Sequence, residues 1–129
     1  MDFIQAIKVC FIKYTNFSSR ASRSEYWNFA VFIFVLVFVT DYIDSQIAGV
    51  SYWDYYDAYG PSTVIFQIVT FIPGLSVSVR RLHDINKSGW WLLLSITIIG
   101  LIPLLFWACK KGDDDGNKYG PNPIILKKA

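Results

Sequence analysis

Charge is scarce in this chain. Asp, Glu, Lys and Arg make up 17% of its 129 residues, against roughly 25% in an ordinary soluble domain. A disordered chain needs the opposite balance, low hydrophobicity and high charge, so disorder is excluded. The chain has one histidine, which excludes a multi-histidine metal site, and two cysteines, Cys10 and Cys109, too few for a disulfide scaffold. Net charge is only +2, too small to point to nucleic acid. No Lys or Arg occurs from Ser24 to Val79. Apolar residues make up 53% and aromatics 18%, and mean hydropathy is +0.35. A small soluble domain cannot hide so much apolar side chain.

The apolar residues fall into three uncharged or nearly uncharged runs. These are 26–43 (YWNFAVFIFVLVFVTDYI), 61–79 (PSTVIFQIVTFIPGLSVSV) and 90–109 (WWLLLSITIIGLIPLLFWAC). A helix of about 20 such residues crosses a hydrocarbon core of ~30 Å. Trp27, Trp90, Trp91 and Trp107 stand at the run ends, where amphipathic rings favour the headgroup level. The first run comes after two arginines and has no small-residue cleavage site close behind it, so it reads as a retained span. Residues 2–16 are amphipathic. Phe3, Ile4, Ile7, Cys10, Phe11 and Tyr14 share one helical face, suited to lying in the interface or on the protein's own spans.

The expected fold is therefore all-α: one integral membrane helical bundle with an interfacial N-terminal helix (2–16), two spans (26–43 and 61–79), a third hydrophobic segment (90–109) and a polar tail (110–129). Basic residues mark the cytoplasmic side. Lys8, Lys13, Arg20 and Arg23 place the N-terminus inside, the segment Asp44–Gly60 outside, and the loop Arg80–Gly89 inside again. Tyr52, Trp53, Tyr55, Tyr56 and Tyr59 would rest on the outer interface. The five tail lysines conflict with a plain third span, which would put them outside. Gly100 and Pro103 offer a break, and two halves of about ten residues, ~15 Å each, would make that segment re-entrant. Pro73-Gly74 weakens the middle of the second run, as a packing kink or as the broken helix of a transport site.

Two segments on the expected inner side carry concentrated charge. In 18–27 (SSRASRSEYW), Ser22 and Glu25 have capping-box spacing, which leaves Arg20 and Arg23 free. In 80–91 (RRLHDINKSGWW), Arg80, Arg81, His83 and Asp84 gather at a membrane boundary, where charge is costly unless paired or wet. Asn86 to Gly89 read as a turn, with Ser88 able to cap the next helix. His83 and Asp84 are neighbours and point to different sides, so they form no ready relay, and no nucleophile elbow is present. The run Asp113–Asn117 reads as a solvated turn.

Together with SGWW at 88–91 and NKYGPNP at 117–123, these segments resemble the signatures of the domain-of-unknown-function 805 family, small bacterial inner-membrane proteins. The resemblance runs from the N-terminal helix to Pro123, and Ser19 departs from the glycine usual there. It implies a bacterial inner-membrane location and singles out Arg20, Arg23, Glu25, Arg80, Arg81, His83 and Asp84. It implies no reaction, cofactor or metal.

The function expected from these residues is non-enzymatic: binding of a partner membrane protein or anionic lipid through an inner arginine cluster. Four guanidiniums against two carboxylates leave a positive surplus for phosphate or an acidic partner. A subunit of an oligomeric transporter or channel is the rival, and an enzyme using His83 the weakest reading. Membrane lipids and a second copy of the chain are the other expected partners, and nucleic acid is not one.

Overall fold

The computed structural model describes residues 2–55 and 60–128. The expected interfacial positions of Tyr56 and Tyr59 lie outside the described residues. Among the described residues five α-helices succeed one another: α1 (Phe3–Ile12), α2 (Arg23–Ala48), α3 (Pro61–Asp84), α4 (Leu101–Cys109) and α5 (Pro123–Lys128). The α2 and α3 helices, of 26 and 24 residues, are about 39 and 36 Å long at 1.5 Å per residue. Both are long and apolar enough to cross a membrane, and they pack side by side.

Each helix outruns its hydrophobic stretch. The α2 helix starts at Arg23 because Ser22 caps it, accepting from the Glu25 amide at 3.3 Å. It ends at Gly49, whose φ of 74° is left-handed and stops the helix at low cost. The α3 helix continues past Val79 through Arg80, Arg81, His83 and Asp84, so these four are helical rather than part of a loop. Asn86, at φ 60°, makes the turn at the end of α3.

Pro73 does not break α3. Thr70 and Ser78, on either side of it, donate to their own i−4 carbonyls at Phe66 (2.8 Å) and Gly74 (2.8 Å). Ser76 instead donates to Lys13 O and Asn16 O, tying the end of α1 to α3. The α1 helix packs on the protein's own helices through buried Ala6 and Cys10, with Phe11 edge-on to Phe29 and Phe32. Ile4 and Ile12 stay exposed.

The far end of the pair is closed by Asp44, which by sequence alone is one of the acids of the outer segment. It lies inside α2, buried, and accepts from the backbone amides of Ser62 (2.8 Å) and Thr63 (3.0 Å) and from the Thr63 hydroxyl (2.7 Å). One helix thus caps the N-terminus of the next, since Gly60 has no side chain to do so.

The third hydrophobic segment is not one helix. Gly89–Ile96 forms a 3-10 segment opened by Ser88, whose hydroxyl accepts from the Trp90 amide at 3.3 Å. A turn comes next at 97–100, where Thr97 caps the Gly100 amide at 3.0 Å. A Cβ at Gly100 would overlap the Leu94 carbonyl. Pro103 sits in the first turn of α4, where its missing N–H costs nothing, so the break belongs to 97–100 rather than to Pro103. The two arms return on each other: Trp91 and Trp107 meet edge-to-face at 5.5 Å, and Lys87 stands 5.3 Å from the Trp107 ring centre. At roughly 2.0 and 1.5 Å per residue, the arms reach about 16 and 13 Å.

Candidate functional site

The hairpin base, the turn before α2, the end of α3 and the tail converge at one end of the helix pair, and the charged residues meet there. Arg20 lies in the turn before α2, held by the bond from the Ala21 amide to Arg80 O at 2.9 Å. Its guanidinium uses every donor. Nε donates to Asp84 Oδ1 at 2.9 Å. Nη1 donates to Asp115 O and Gly120 O, and Nη2 to Asp113 O at 2.7 Å and to Asp84 O at 3.3 Å. Arg81 is equally occupied. It donates to Asp84 Oδ2 at 2.7 Å and to the carbonyls of Ala21, Trp107, Ala108 and Lys110. One carboxylate therefore bridges two arginines, and each arginine collects carbonyls from segments distant in sequence. Arg20 gathers the tail and Arg81 the returning arm of the hairpin.

Glu25 and Arg80 form a second, separate pair at 2.5 Å. Capping-box spacing leads one to expect Glu25 to reach back to the Ser22 amide, but its carboxylate turns to Arg80 instead. Arg80 is fully buried, and its Nε donates to Ser76 Oγ at 3.4 Å. Cys10 Sγ lies 3.8 Å from Glu25 Oε1. Burial, with the Glu25 charge second, pushes the Cys10 thiol up to about 12.

His83 belongs to neither pair. Its Nδ1 faces Ser19 O at 3.0 Å, and its ring stacks on Tyr119 at 3.8 Å between centres, 3° from parallel. Arg23 stands apart from the other site residues. It is exposed and donates to Cys109 O at 3.3 Å. Of the seven residues singled out, Arg20, Arg81 and Asp84 share one ion cluster, Glu25 and Arg80 another, His83 flanks the first and Arg23 lies on the rim.

Several residues of this junction are not among the site residues expected from the sequence, although Asn117 and Trp27 lie in the segments that carry the family resemblance. Asn117 donates to His83 O at 3.0 Å and to Asp113 Oδ2 at 2.9 Å. The Asp113 amide donates to Asp84 O at 2.8 Å. The start of the tail is thus docked, while Asp114 and Asp115 remain solvated. A Cβ at Gly112 would overlap the Asp84 carboxylate, so glycine is required for that approach. Trp27 Nε1 donates to Ala108 O at 3.0 Å. Among the described residues, no group of three or more His, Cys, Asp or Glu could hold a metal ion.

An apolar cleft of about 660 Å³ opens between α2, α3 and the hairpin, lined among others by Ile33, Phe71, Gly74, Leu92 and Leu105. It reaches Tyr26, Arg81 and Ala108 at the arginine end. Beyond Ala108 at that end stand Cys109, whose carbonyl accepts from the exposed Arg23, and the exposed Lys110.

The family model described as "Protein of unknown function (DUF805)" matches residues 14–121, which takes in both ion clusters and the docked part of the tail. The inner membrane protein YhaH of Escherichia coli K12 is 35% identical over 113 residues, 87% of this chain and 90% of that protein. The inner membrane protein YhaI of the same strain is 34% identical over 111 residues, 85% and 87% of the two chains. No solved structure matches. Exposed apolar side chains along both long helices, such as Phe34, Ile47, Ile68 and Phe71, are what lipid contact requires. The chain thus belongs to the DUF805 family and is a bacterial inner-membrane protein with transmembrane helices.

Proposed function

We propose that this protein is a non-enzymatic lipid-binding membrane protein that takes an anionic phospholipid, with an acyl chain in the α2–α3–hairpin cleft and the phosphate at Arg23 and Lys110. The observation that carries this reading is the cleft itself, lined mainly by apolar side chains and ending at Ala108, beside which the exposed Arg23 and Lys110 stand. Its α3 wall runs from Thr70 to Leu82, twelve residue steps or about 18 Å, a length suited to an extended acyl chain. The buried arginines act indirectly. Arg20 and Arg81 have no donor left for a phosphate, and serve by holding the hairpin and tail that form one wall. The arginine end faces the cytoplasm, because the basic residues gather there. The hairpin enters the bilayer from that side and returns, both arms packed on α3 and the returning arm also touching α2.

Native mass spectrometry of the protein equilibrated in mixed phosphatidylglycerol and phosphatidylcholine tests this. The expected result is preferential retention of phosphatidylglycerol. Arg23→Glu with Lys110→Glu should reduce that preference by at least tenfold, at about 1 kcal/mol per basic residue near the surface. Ser95→Phe, which fills the cleft from its exposed side, should reduce retention of both lipids. Equal retention of the two lipids by the unaltered protein, or no effect of Ser95→Phe, would overturn the proposal.

A further inference from the structure

The polar side chains of α3 find partners almost without exception. Ser62 donates to Thr40 O, Thr63 to Asp44, Thr70 to Phe66 O, Ser76 to the end of α1 and Ser78 to Gly74 O. Gln67 differs. It is exposed and has no hydrogen-bond partner among the described residues. Ile68 and Phe71, which border it on the helix surface, are 69 and 65% exposed, so the amide projects from an apolar, lipid-facing surface.

Depth makes this costly. Gln67 lies six residues beyond Pro61 and thirteen before Arg80, about 9 and 20 Å along the helix. A hydrocarbon slab of ~30 Å that leaves Arg80 at its edge places Gln67 about 20 Å from that edge and about 10 Å from the other. Two methylenes cannot carry the amide to either interface. A primary amide in hydrocarbon with no partner loses all of its donor and acceptor bonds.

We infer that Gln67 is the contact point of a homodimer, in which two α3 helices cross and the two amides hydrogen-bond to each other. A carboxamide is both donor and acceptor, so it is self-complementary across a two-fold axis, as a symmetric interface requires. The surrounding face is apolar and uncharged, so it calls for no oppositely charged partner. Interhelical bonds from glutamine are a recognised source of helix association in lipid. Gln67 stands one turn beyond the cleft wall that begins at Thr70 and Phe71 and does not itself line it, so the inference does not require the cleft to hold a lipid.

The test uses the full chain in liposomes. Dimerisation is measured by single-molecule photobleaching across protein-to-lipid ratios for the unaltered protein, Gln67→Leu and Gln67→Asn. The unaltered protein should dimerise, Gln67→Leu should weaken association by about tenfold, the scale of one or two interhelical hydrogen bonds, and Gln67→Asn should retain part of it. In a background of Cys10→Ala and Cys109→Ser, Gln67→Cys should form a disulfide-linked dimer in native membranes and Val69→Cys, turned about 200° around the helix, should not. Circular dichroism and thermal stability of Gln67→Leu should match the unaltered protein, since the site is exposed. A monomer at every ratio, unchanged association in Gln67→Leu, or cross-links only to other proteins would overturn the inference. Anionic-lipid retention by Gln67→Leu should be unchanged, so failure here is distinguishable from failure of the lipid proposal.

Discussion

Arg20 and Asp84 are 64 positions apart in sequence and meet at 2.9 Å, both side chains buried. The same carboxylate holds Arg81 at 2.7 Å, so its loss would strand two buried guanidiniums at once. Breaking a buried ion pair by removing one partner costs about 3–5 kcal/mol. Asp84→Ala should therefore lower the detergent-solubilised protein's thermal unfolding temperature sharply and leave the tail open to limited proteolysis. Arg20→Lys should fail in the same way, because an ammonium has three donors where the site presents five acceptors. If Arg20→Lys keeps both the unfolding temperature and the protease resistance, charge alone is what the site needs.

The second pair makes a different prediction. Glu25 and Arg80 are buried and bonded to each other, with one Arg80 nitrogen left without a partner. Glu25→Leu or Arg80→Met alone should cost about 3–5 kcal/mol, and the two together should recover most of the loss, because a well-packed apolar pair often replaces a buried ion pair at little cost. Partner choice is checked by charge exchange. Glu25→Arg with Arg80→Glu should restore part of the folded yield, while Glu25→Arg with Arg81→Glu should not. Rescue by the second combination would mean that Glu25 pairs with Arg81.

Helix content and the two long helices are legible in the sequence because hydrophobic length is a local property. Run 26–43 lies within Arg23–Ala48, and run 61–79 within Pro61–Asp84. Both extensions are rich in polar and charged residues, invisible to a reading that stops at the first charge. Which carboxylate meets which arginine is not legible. Local spacing assigns Glu25 to Ser22, but Arg80, 55 residues away, offers a charge-assisted bond in a buried site, which outweighs a neutral amide. Asp44 escapes notice for a related reason: its role as a cap exists only once Gly60 and Pro61 fold back beside it. Gly112 gives no signal at all, since its need for glycine comes from the Asp84 carboxylate packed over it.

The two cysteines should differ in reactivity. Cys109 is exposed at the end of α4, whereas Cys10 is buried against Phe29 and Val77. With its thiol pushed up to about 12 by burial and by Glu25, Cys10 stays protonated at pH 8, and only the thiolate is nucleophilic. Maleimide at pH 8 should modify Cys109 alone in the folded protein and both cysteines in denaturant, as read by intact mass. Glu25→Gln removes the nearby negative charge and should lower the Cys10 pKa without exposing the thiol, so labelling should remain slow. Fast labelling of Cys10 in the unaltered folded protein would show that α1 opens readily from α2 and α3.

The last prediction joins the hairpin to the membrane. Arg20 binds the carbonyls of Asp115 and Gly120, and the Asp113 amide binds Asp84 O, so the tail sits at the same end of the helix pair as Asn86 and the start of α2. One long helix separates the segment around Ser51 from each of these. A third plain span would carry the tail to the Ser51 side and break every one of these bonds. The hairpin avoids that cost, since each arm reaches only about half of a ~30 Å core. Impermeant thiol labelling of intact and inverted membrane vesicles separates the alternatives, using single cysteines introduced as Ser51→Cys, Asn86→Cys and Lys118→Cys in a Cys10→Ala, Cys109→Ser background. Asn86→Cys and Lys118→Cys should label from the cytoplasmic face and Ser51→Cys from the opposite one, in keeping with the basic residues at the arginine end. Asp84→Ala should then leave Asn86→Cys cytoplasmic, since the charge of the remaining arginines still orients the chain, while the undocked tail should react faster through Lys118→Cys. Labelling of Lys118→Cys from the Ser51 side would establish three plain spans and would dissolve the junction built on Arg20.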